Sequence, residues 1–223
     1  MKFKLYIIFL LSTFILASCR NDVSLKKEGL IHYELVYLDG ENSSPIITFL
    51  PNDMTYAFKP GKTVQKVEGW GGVFKMTGIS DSKTDSVTAL IKILGEKKKY
   101  KCRIGEDNFG YTPLKGLKYE YLSDEKEIAG YNCKKVIAHH ENVSYELYYT
   151  TDIDIQDPNW NTPFKEIDGI LMEYQISMFG IKTKITAKEV EFKEIKDSDF
   201  SISDDYQSVD KKEIKETVYK YIE

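Results

Sequence analysis

Residues 170–178 most constrain what this chain can fold into, because apolar and polar side chains alternate there almost without interruption. The apolar members of the alternation are Ile170, Met172, Tyr174, Ile176 and Met178. Successive side chains of a β-strand point to opposite faces, so a period of two places these five on one face. The stretch therefore predicts a strand with one face in an apolar core.

Similar stretches recur along the chain, separated by segments rich in Gly, Pro, Asn and Asp that favour turns. They predict about ten short antiparallel strands between Gly29 and Phe192. Residues 87–94 are apolar on both faces, which predicts a central strand that is covered on both sides. After Ala187 the apolar phase shifts to Val190, which predicts a β-bulge near Lys188 or Glu189.

Helical patterns are few. Asp210 and Glu213 resemble a capping box that opens a helix, and the helix carries one apolar stripe. The stripe consists of Ile214, Val218, Tyr221 and Ile222. Pro45 suits the first turn of a second, short helix. We therefore expect a mainly β domain with minor α at residues 29–223. Its architecture would be a strongly curved antiparallel sheet, or incomplete β-barrel, covered by one or two helices.

The first nineteen residues look like an export signal. Lys2 and Lys4 precede an apolar run over residues 5–15, which is shorter than the roughly 20 residues that span a bilayer. Leu16-Ala17-Ser18-Cys19 then resembles the lipobox of bacterial lipoproteins. This resemblance implies a signal peptide at residues 1–18, a lipidated Cys19, and a polar tether that reaches residue 28.

Lipidation would fix the location of the protein. Acyl chains such as palmitate on Cys19 would hold the chain to a membrane essentially permanently. Arg20 stands directly after Cys19, where lipoproteins retained in the inner membrane of enteric bacteria carry Asp. We therefore expect a cell-envelope protein anchored in the outer membrane and facing the periplasm.

Charge and composition argue against several functional classes. Without Lys2 and Lys4 the chain has 29 basic and 35 acidic residues, a net charge of about −6. This acidity disfavours nucleic acid as a partner. The three histidines are His32, His139 and His140, and the last two point to opposite faces of one predicted strand. No catalytic or phosphate-binding motif is present, so we expect no enzyme, no cofactor and no metal site.

Two cysteines and one serine invite specific chemistry. With Cys19 lipidated, Cys102 and Cys133 remain. They either pair in a disulfide, which an oxidising compartment permits, or stay apart as small buried thiols. Asp85-Ser86-Val87 matches a short acceptor pattern for O-glycosylation that some envelope proteins carry, which makes Ser86 a candidate for modification.

Several longer stretches resemble a family of bacterial envelope lipoproteins known mainly as a domain of unknown function. They include LPNDMTYAFKPGK (50–62), AGYNCKKVIA (129–138), YELYYTTDI (145–153) and TAKEVEF (186–192). The resemblance implies a fold similar to the outer-membrane carrier and receptor proteins for lipoproteins. Those are incomplete barrels whose concave face holds acyl chains, and no catalytic residue is implied.

The concave face is therefore the candidate site for an apolar ligand or acyl chain. Its lining would comprise Tyr33, Leu35, Tyr37, Met172, Tyr174, Ile176 and Met178. The same residues would equally form a dry, filled core. The alternative function is an envelope interaction or scaffold protein that contacts another protein through the 152–165 loop and the sheet edges. In that loop Trp160 is either a contact residue or the plug of a local core.

Overall fold

The computed structural model describes residues 27–38, 50–106 and 110–222. The signal peptide, Cys19, most of the tether and the helix expected after Pro45 lie outside the described residues. The fold is mainly β, with 55% of the described residues in strands. The strands are β1 (Gly29–Tyr37), β2 (Asp53–Lys59), β3 (Lys62–Gly69), β4 (Phe74–Asp81), β5 (Ser86–Ile93), β6 (Glu96–Cys102), β7 (Lys118–Ile128), β8 (Tyr131–His140), β9 (Val143–Thr150), β10 (Ile170–Met178), β11 (Ile181–Phe192) and β12 (Gln207–Ser208).

All the strands belong to one sheet, in the order β12-β6-β5-β4-β3-β2-β1-β11-β10-β9-β8-β7. From β1 the chain runs strand by strand to β6, then crosses to the opposite edge and returns from β7 to β11, which pairs with β1. The pairs are antiparallel apart from the short parallel contact of β12 with β6. The sheet is curved and open rather than closed into a barrel, as the alternation predicts.

The predicted bulge is present in β11. His32 pairs with Glu189 and Tyr33 with Ala187, so Lys188 is the extra residue. Residues 87–93 belong to β5, an interior strand of the sheet that is buried along almost its whole length, as predicted. It pairs with β4 on one side and β6 on the other, and it is the third strand from the β12 edge. Its outer face is covered by the segment around Ile195 and Phe200, which a strand pattern does not reveal.

The main core lies on one face of the sheet, which we call the inner face. Strands from both halves contribute buried side chains to it, among them Ile31, Ile91, Leu147 and Ile185. This burial supplies most of the stabilising free energy, at roughly 25 cal/mol per Å² of apolar surface.

The C-terminal helix α1 (Lys211–Ile222) covers part of the inner face, beside β5 and β6. Asp210 Oδ1 accepts a hydrogen bond of 2.8 Å from the backbone N–H of Glu213, which caps the helix. The predicted apolar stripe is buried at Ile214 and Val218, and Tyr221 is half-buried against the core. The side chain of Ile222 lies outside the described residues.

Candidate ligand site on the inner face

Residues 151–169, between β9 and β10, form the rest of the cover and are called the plug loop below. The loop contains neither a strand nor a helix. Its buried apolar side chains include Ile153, Trp160, Phe164 and Ile167. Trp160 is only 4% exposed, so it plugs the core instead of presenting a contact surface to solvent.

Asn159 connects the middle of the plug loop to its C-terminal end. Its side-chain amide donates hydrogen bonds of 3.0 Å to Ile167 O and 2.8 Å to Gly169 O. Its Oδ1 accepts one of 3.4 Å from the backbone N–H of Leu171. A buried amide costs free energy unless it is hydrogen-bonded, and this one satisfies loop backbone groups that no strand pairs. These bonds fix the shape of the loop where it leads into β10.

Contacts with β2, β3 and β4 fasten the plug loop to the inner face. The indole N–H of Trp160 donates to Thr63 Oγ1 at 2.8 Å, and the Tyr56 hydroxyl donates to Pro158 O at 3.0 Å. The outer edge of the indole ring lies against Gly78, where a Cβ would be 3.4 Å from it. A glycine in the middle of a strand often marks such a close approach.

Several titratable side chains buried on the inner face near the plug loop are tyrosines. The Tyr33 hydroxyl donates a hydrogen bond of 3.0 Å to Leu171 O, and the Gln65 amide donates one of 3.0 Å to Tyr111 Oη. Burial raises the pKa of Tyr33, Tyr56 and Tyr174 well above the usual value for a phenol. These hydroxyls are neutral hydrogen-bonding groups near neutral pH, and that of Tyr56 contacts the plug loop directly through Pro158 O.

The space left beneath the plug loop is small. A cavity of about 30 Å³ lies between Trp160, Tyr111 and Met76, and another of about 30 Å³ lies between Tyr37 and Val218. Each has room for one or two water molecules. Asn161 borders the first cavity, and its Oδ1 is buried without a hydrogen-bond partner among the described residues. Ordinary ligand pockets measure roughly 300–1,000 Å³, so this inner face is packed shut.

A larger cavity, of about 220 Å³, lies at the rim of the inner face. It borders Lys27, which stands two residues before β1, and Phe58 and Lys59 at the end of β2. Asp154 and Gln156 of the plug loop form its other wall. The rim cavity is thus mixed in polarity and adjoins the point where the tether would enter the domain.

The structure brings the seven predicted lining residues together. Five of them are at most 4% exposed, namely Tyr33, Leu35, Met172, Tyr174 and Ile176. Tyr37 and Met178 are half-buried beside the 30 Å³ cavity that α1 covers. The alternative of a filled core therefore describes the observed state. The residues that do the filling come from the plug loop, whose irregular sequence carries no periodic signal.

No disulfide joins Cys102 to Cys133. Cys102 lies on β6 and Cys133 on β8, and in the sheet order β5, β4, β3, β2, β1, β11, β10 and β9 stand between these strands. Cys133 is fully buried, and burial raises the pKa of its thiol to about 11. Of the two alternatives open for this pair, the disulfide is wrong, because the strand order separates the two positions.

Ser86 begins β5 and is 9% exposed. Its hydroxyl lies 2.7 Å from Thr84 Oγ1. A sugar on Ser86 would have to displace this contact, so attachment before folding fits the site better than attachment to the folded domain. Glycosylation at Ser86 stays a prediction.

The histidines lie apart from the inner-face core. His32 and His139 each face a carboxylate. His32 Nε2 lies 3.4 Å from Glu191 Oε1, and His139 Nε2 lies 3.3 Å from Glu120 Oε2. Glu189 joins the first pair in a group whose ligand atoms lie within 4.8 Å of one another. A hydrogen bond from Lys193 is the largest influence that lowers the pKa of Glu191. In the sequence, only the predicted bulge pointed toward this group of side chains. The register of β1 against β11 was needed to place His32 beside the two glutamates.

Among the described residues, no helical segment combines the length and the apolar character that a membrane crossing requires.

Comparison with known proteins identifies the fold and no family. Two structures of PNGF-II, solved in different crystal forms, are similar to this chain at TM-scores of 0.55 and 0.56 and 16% sequence identity. Each alignment covers 87% of this chain, but only 34% or 33% of the PNGF-II chain. The chain thus spans about a third of the length of these neighbours. No family model and no curated protein matches the sequence.

Proposed function

We propose that this chain is a lipid-anchored envelope protein that binds an apolar ligand, such as an acyl chain, on the inner face of its sheet without catalysing a reaction. One observation carries the proposal: a connecting segment, and not a second sheet, fills the inner face with its own apolar side chains. In this state the plug loop occupies the place that a ligand would take.

The plug loop is suited to being displaced. Its backbone makes no ladder with the sheet, so apolar packing and a few side-chain hydrogen bonds to β2 and β3 hold it in place. Such bonds contribute only about 0.5–1.5 kcal/mol each. An acyl chain that replaced Trp160 and Phe164 would restore the apolar contacts that the loop gives up, at roughly 0.8 kcal/mol per buried CH₂.

Tryptophan fluorescence would test this exchange, because the chain has two tryptophans, Trp70 and Trp160. In Trp70→Phe only Trp160 reports. Adding oleic acid to the delipidated protein should shift its emission to longer wavelength, in a saturable manner, as the indole leaves the core. Trp160→Phe is the matched control and should show no such shift. Unchanged Trp160 emission together with no uptake of a fluorescent fatty acid would rule out the proposal.

The anchor is tested separately, because Leu16-Ala17-Ser18-Cys19 supports attachment and not ligand binding. Cys19→Ser should abolish labelling by palmitate and release the folded protein from the outer membrane fraction. Cys102→Ser is the control and should retain both. Labelling that persists in Cys19→Ser would refute the anchor and leave the ligand proposal standing.

The alternative, an envelope interaction or scaffold protein, is favoured by one observation on the sheet edge. In the described part of the chain, β7 has a strand neighbour on one side only, and most of its side chains are exposed. Such an edge can accept a strand from another protein, although its charged side chains are also a common protection against unwanted pairing. The apolar residues of the 152–165 loop are buried, so this alternative depends on the edge.

A photo-crosslinking residue in place of Tyr121 on β7, which is 55% exposed, would test the alternative in cells. A single discrete crosslinked partner would favour a scaffold. Crosslinks to many proteins, or to none, would argue against it. A crosslinker in place of Val143, the first residue of β9 and 51% exposed, provides the comparison.

A further inference from the structure

The bulge in β11 has an effect on the outer face as well as on the core. Thr183, Ile185 and Ala187 alternate toward the inner face. If the alternation continued, Glu189 and Glu191 would also point into the apolar core. The extra residue Lys188 reverses the phase, so both glutamates lie on the outer face. Bulges often redirect side chains in this way near functional sites.

The redirected carboxylates meet a histidine. His32 on β1 is the register partner of Glu189, and its Nε2 lies 3.4 Å from Glu191 Oε1. One ligand atom from each of the three side chains lies within 4.8 Å of the other two. His32 and Glu191 are a little more than one-third exposed, which leaves the group accessible from solvent.

We propose that His32, Glu189 and Glu191 bind a divalent transition-metal ion, Zn²⁺ foremost. Zinc binds imidazole nitrogen and carboxylate oxygen, and three protein ligands leave its fourth position to water. Zinc–ligand bonds of about 2.0–2.2 Å in a tetrahedron place neighbouring ligand atoms about 3.3 Å apart. The 3.4 Å separation of His32 and Glu191 already matches this spacing, and a rotation of the Glu189 side chain would complete the set.

A neighbouring lysine would compete with the metal ion. Lys193 Nζ lies 2.5 Å from Glu191 Oε2, the carboxylate oxygen not paired with His32. Lys188, in the bulge, is paired instead with Glu34 Oε2 at 2.6 Å. Lys193 therefore neutralises part of the negative charge that would attract a cation. Its removal should tighten binding, which is the opposite of what loss of a ligand does.

The chain contains a matched control. His139 and Glu120 form a similar pair on neighbouring strands, 3.3 Å apart and comparably exposed. No second carboxylate joins them in a metal-sized group among the described residues. Two ligands hold a metal ion far less firmly than three, so His139 should contribute little.

The test is a calorimetric titration of the untagged full chain, in detergent, with ZnCl₂. We expect one Zn²⁺ per chain. His32→Ala should lower the affinity more than about tenfold, because loss of a residue that only hydrogen-bonds to a metal ligand already lowers metal affinity by about that factor. Glu189→Gln and Glu191→Gln should weaken binding as well, Lys193→Ala should strengthen it, and His139→Ala should leave it unchanged.

A second readout separates lost ligands from lost structure. Far-ultraviolet circular dichroism of each variant should match that of the parent. If His32→Ala disturbs the fold, the Glu→Gln variants still test the site, because they keep the size of the side chain. Co²⁺ should give the visible absorption bands of a tetrahedral site in the parent and in His139→Ala, but not in Glu191→Gln. Absence of Zn²⁺ binding at millimolar metal, or equal losses in His32→Ala and His139→Ala, would overturn the proposal.

Discussion

The indole N–H of Trp160 donates a hydrogen bond of 2.8 Å to Thr63 Oγ1, although the two residues are 97 positions apart in the sequence. Thr63 is itself buried, and its Oγ1 lies 2.7 Å from Ser80 Oγ on the neighbouring strand. One bond thus connects the plug loop to β3 and β4. Because an indole N–H needs a partner when buried, this contact fixes how the plug sits in the core.

Replacing Trp160 with Ala should lower the free energy of unfolding by about 3–5 kcal/mol, the usual cost of removing a buried aromatic side chain. Urea denaturation followed by circular dichroism measures the change. Trp70→Ala is the control, since Trp70 is only half-buried and should cost less. Equal losses in the two variants would show that the plug contributes nothing special.

Gly169 ends the plug loop in a backbone conformation that side chains disfavour, with φ of +117°. A Cβ at this position would stand 2.5 Å from the backbone oxygen of Thr150, which cannot move without disturbing β9. Gly169→Ala should therefore destabilise the protein by at least about 2 kcal/mol, within the range for strained backbone.

Gly180 is the matched control for Gly169, because its φ is +84° and nothing lies within 4 Å of the position that a Cβ would take. Gly180→Ala should cost only the conformational strain, about 1–2 kcal/mol. Thermal unfolding measures both variants side by side. A smaller loss at Gly169 than at Gly180 would contradict the steric argument.

The cap of α1 provides a third prediction. Asp210→Ala removes the acceptor for the Glu213 N–H and should cost about 1 kcal/mol. Asp210→Asn keeps an oxygen at this place and should restore most of the loss, which distinguishes capping from charge. If Asn and Ala destabilise equally in urea denaturation, the hydrogen bond is not the cause.

The buried tyrosines predict a loss of stability at alkaline pH. Burial raises the pKa of Tyr33, Tyr56 and Tyr174, so the folded state favours their neutral forms. An unfolded tyrosine loses its proton near pH 10. The stabilisation is therefore fully present below about pH 10 and falls as the pH rises further, because the unfolded state binds fewer protons there.

Urea denaturation from neutral to alkaline pH would measure this dependence, alongside tyrosinate absorbance. Exposed tyrosines should ionise first and the buried group only together with unfolding. Tyr33→Phe should make the alkaline decline shallower. A single smooth ionisation of all tyrosines in the folded protein would contradict the prediction.

Cys133 should react slowly with thiol reagents. Its pKa of about 11 keeps it protonated near neutral pH, and the thiolate is the reactive form. Maleimide labelling of the native protein, read by peptide mass spectrometry, should modify Cys102 well before Cys133, since Cys102 is only half-buried. In urea the two rates should converge. Comparable rates in the native state would mean that Cys133 is accessible.

Much of the fold follows from local pattern. The alternation over residues 170–178 predicts β10, the phase shift after Ala187 predicts the bulge, and Asp210 with Ile214 and Val218 predicts a capped helix lying on the sheet. Each of these three predictions depends on residues only a few positions apart, because the period of their apolar side chains indicates which face of the strand or helix is buried.

The candidate sites were less predictable. Tyr33, Leu35, Tyr174 and Ile176 were expected to share one face, and they do. Whether that face would be open or filled depended on the plug loop, where burial follows no period. The group of His32 with Glu189 and Glu191 needed the pairing of β1 with β11, strands whose partners are more than 140 residues apart.

The sequence by itself determined which residues form strands, which of their faces are apolar, and where β11 shifts phase, because a strand's period of two is a local property. Only the tertiary structure decided that β1 joins β11, that Cys102 lies far in strand order from Cys133, and that Trp160 closes the inner face. Those outcomes depend on long-range pairing and on the space left between packed elements, and neither leaves a periodic trace in the chain.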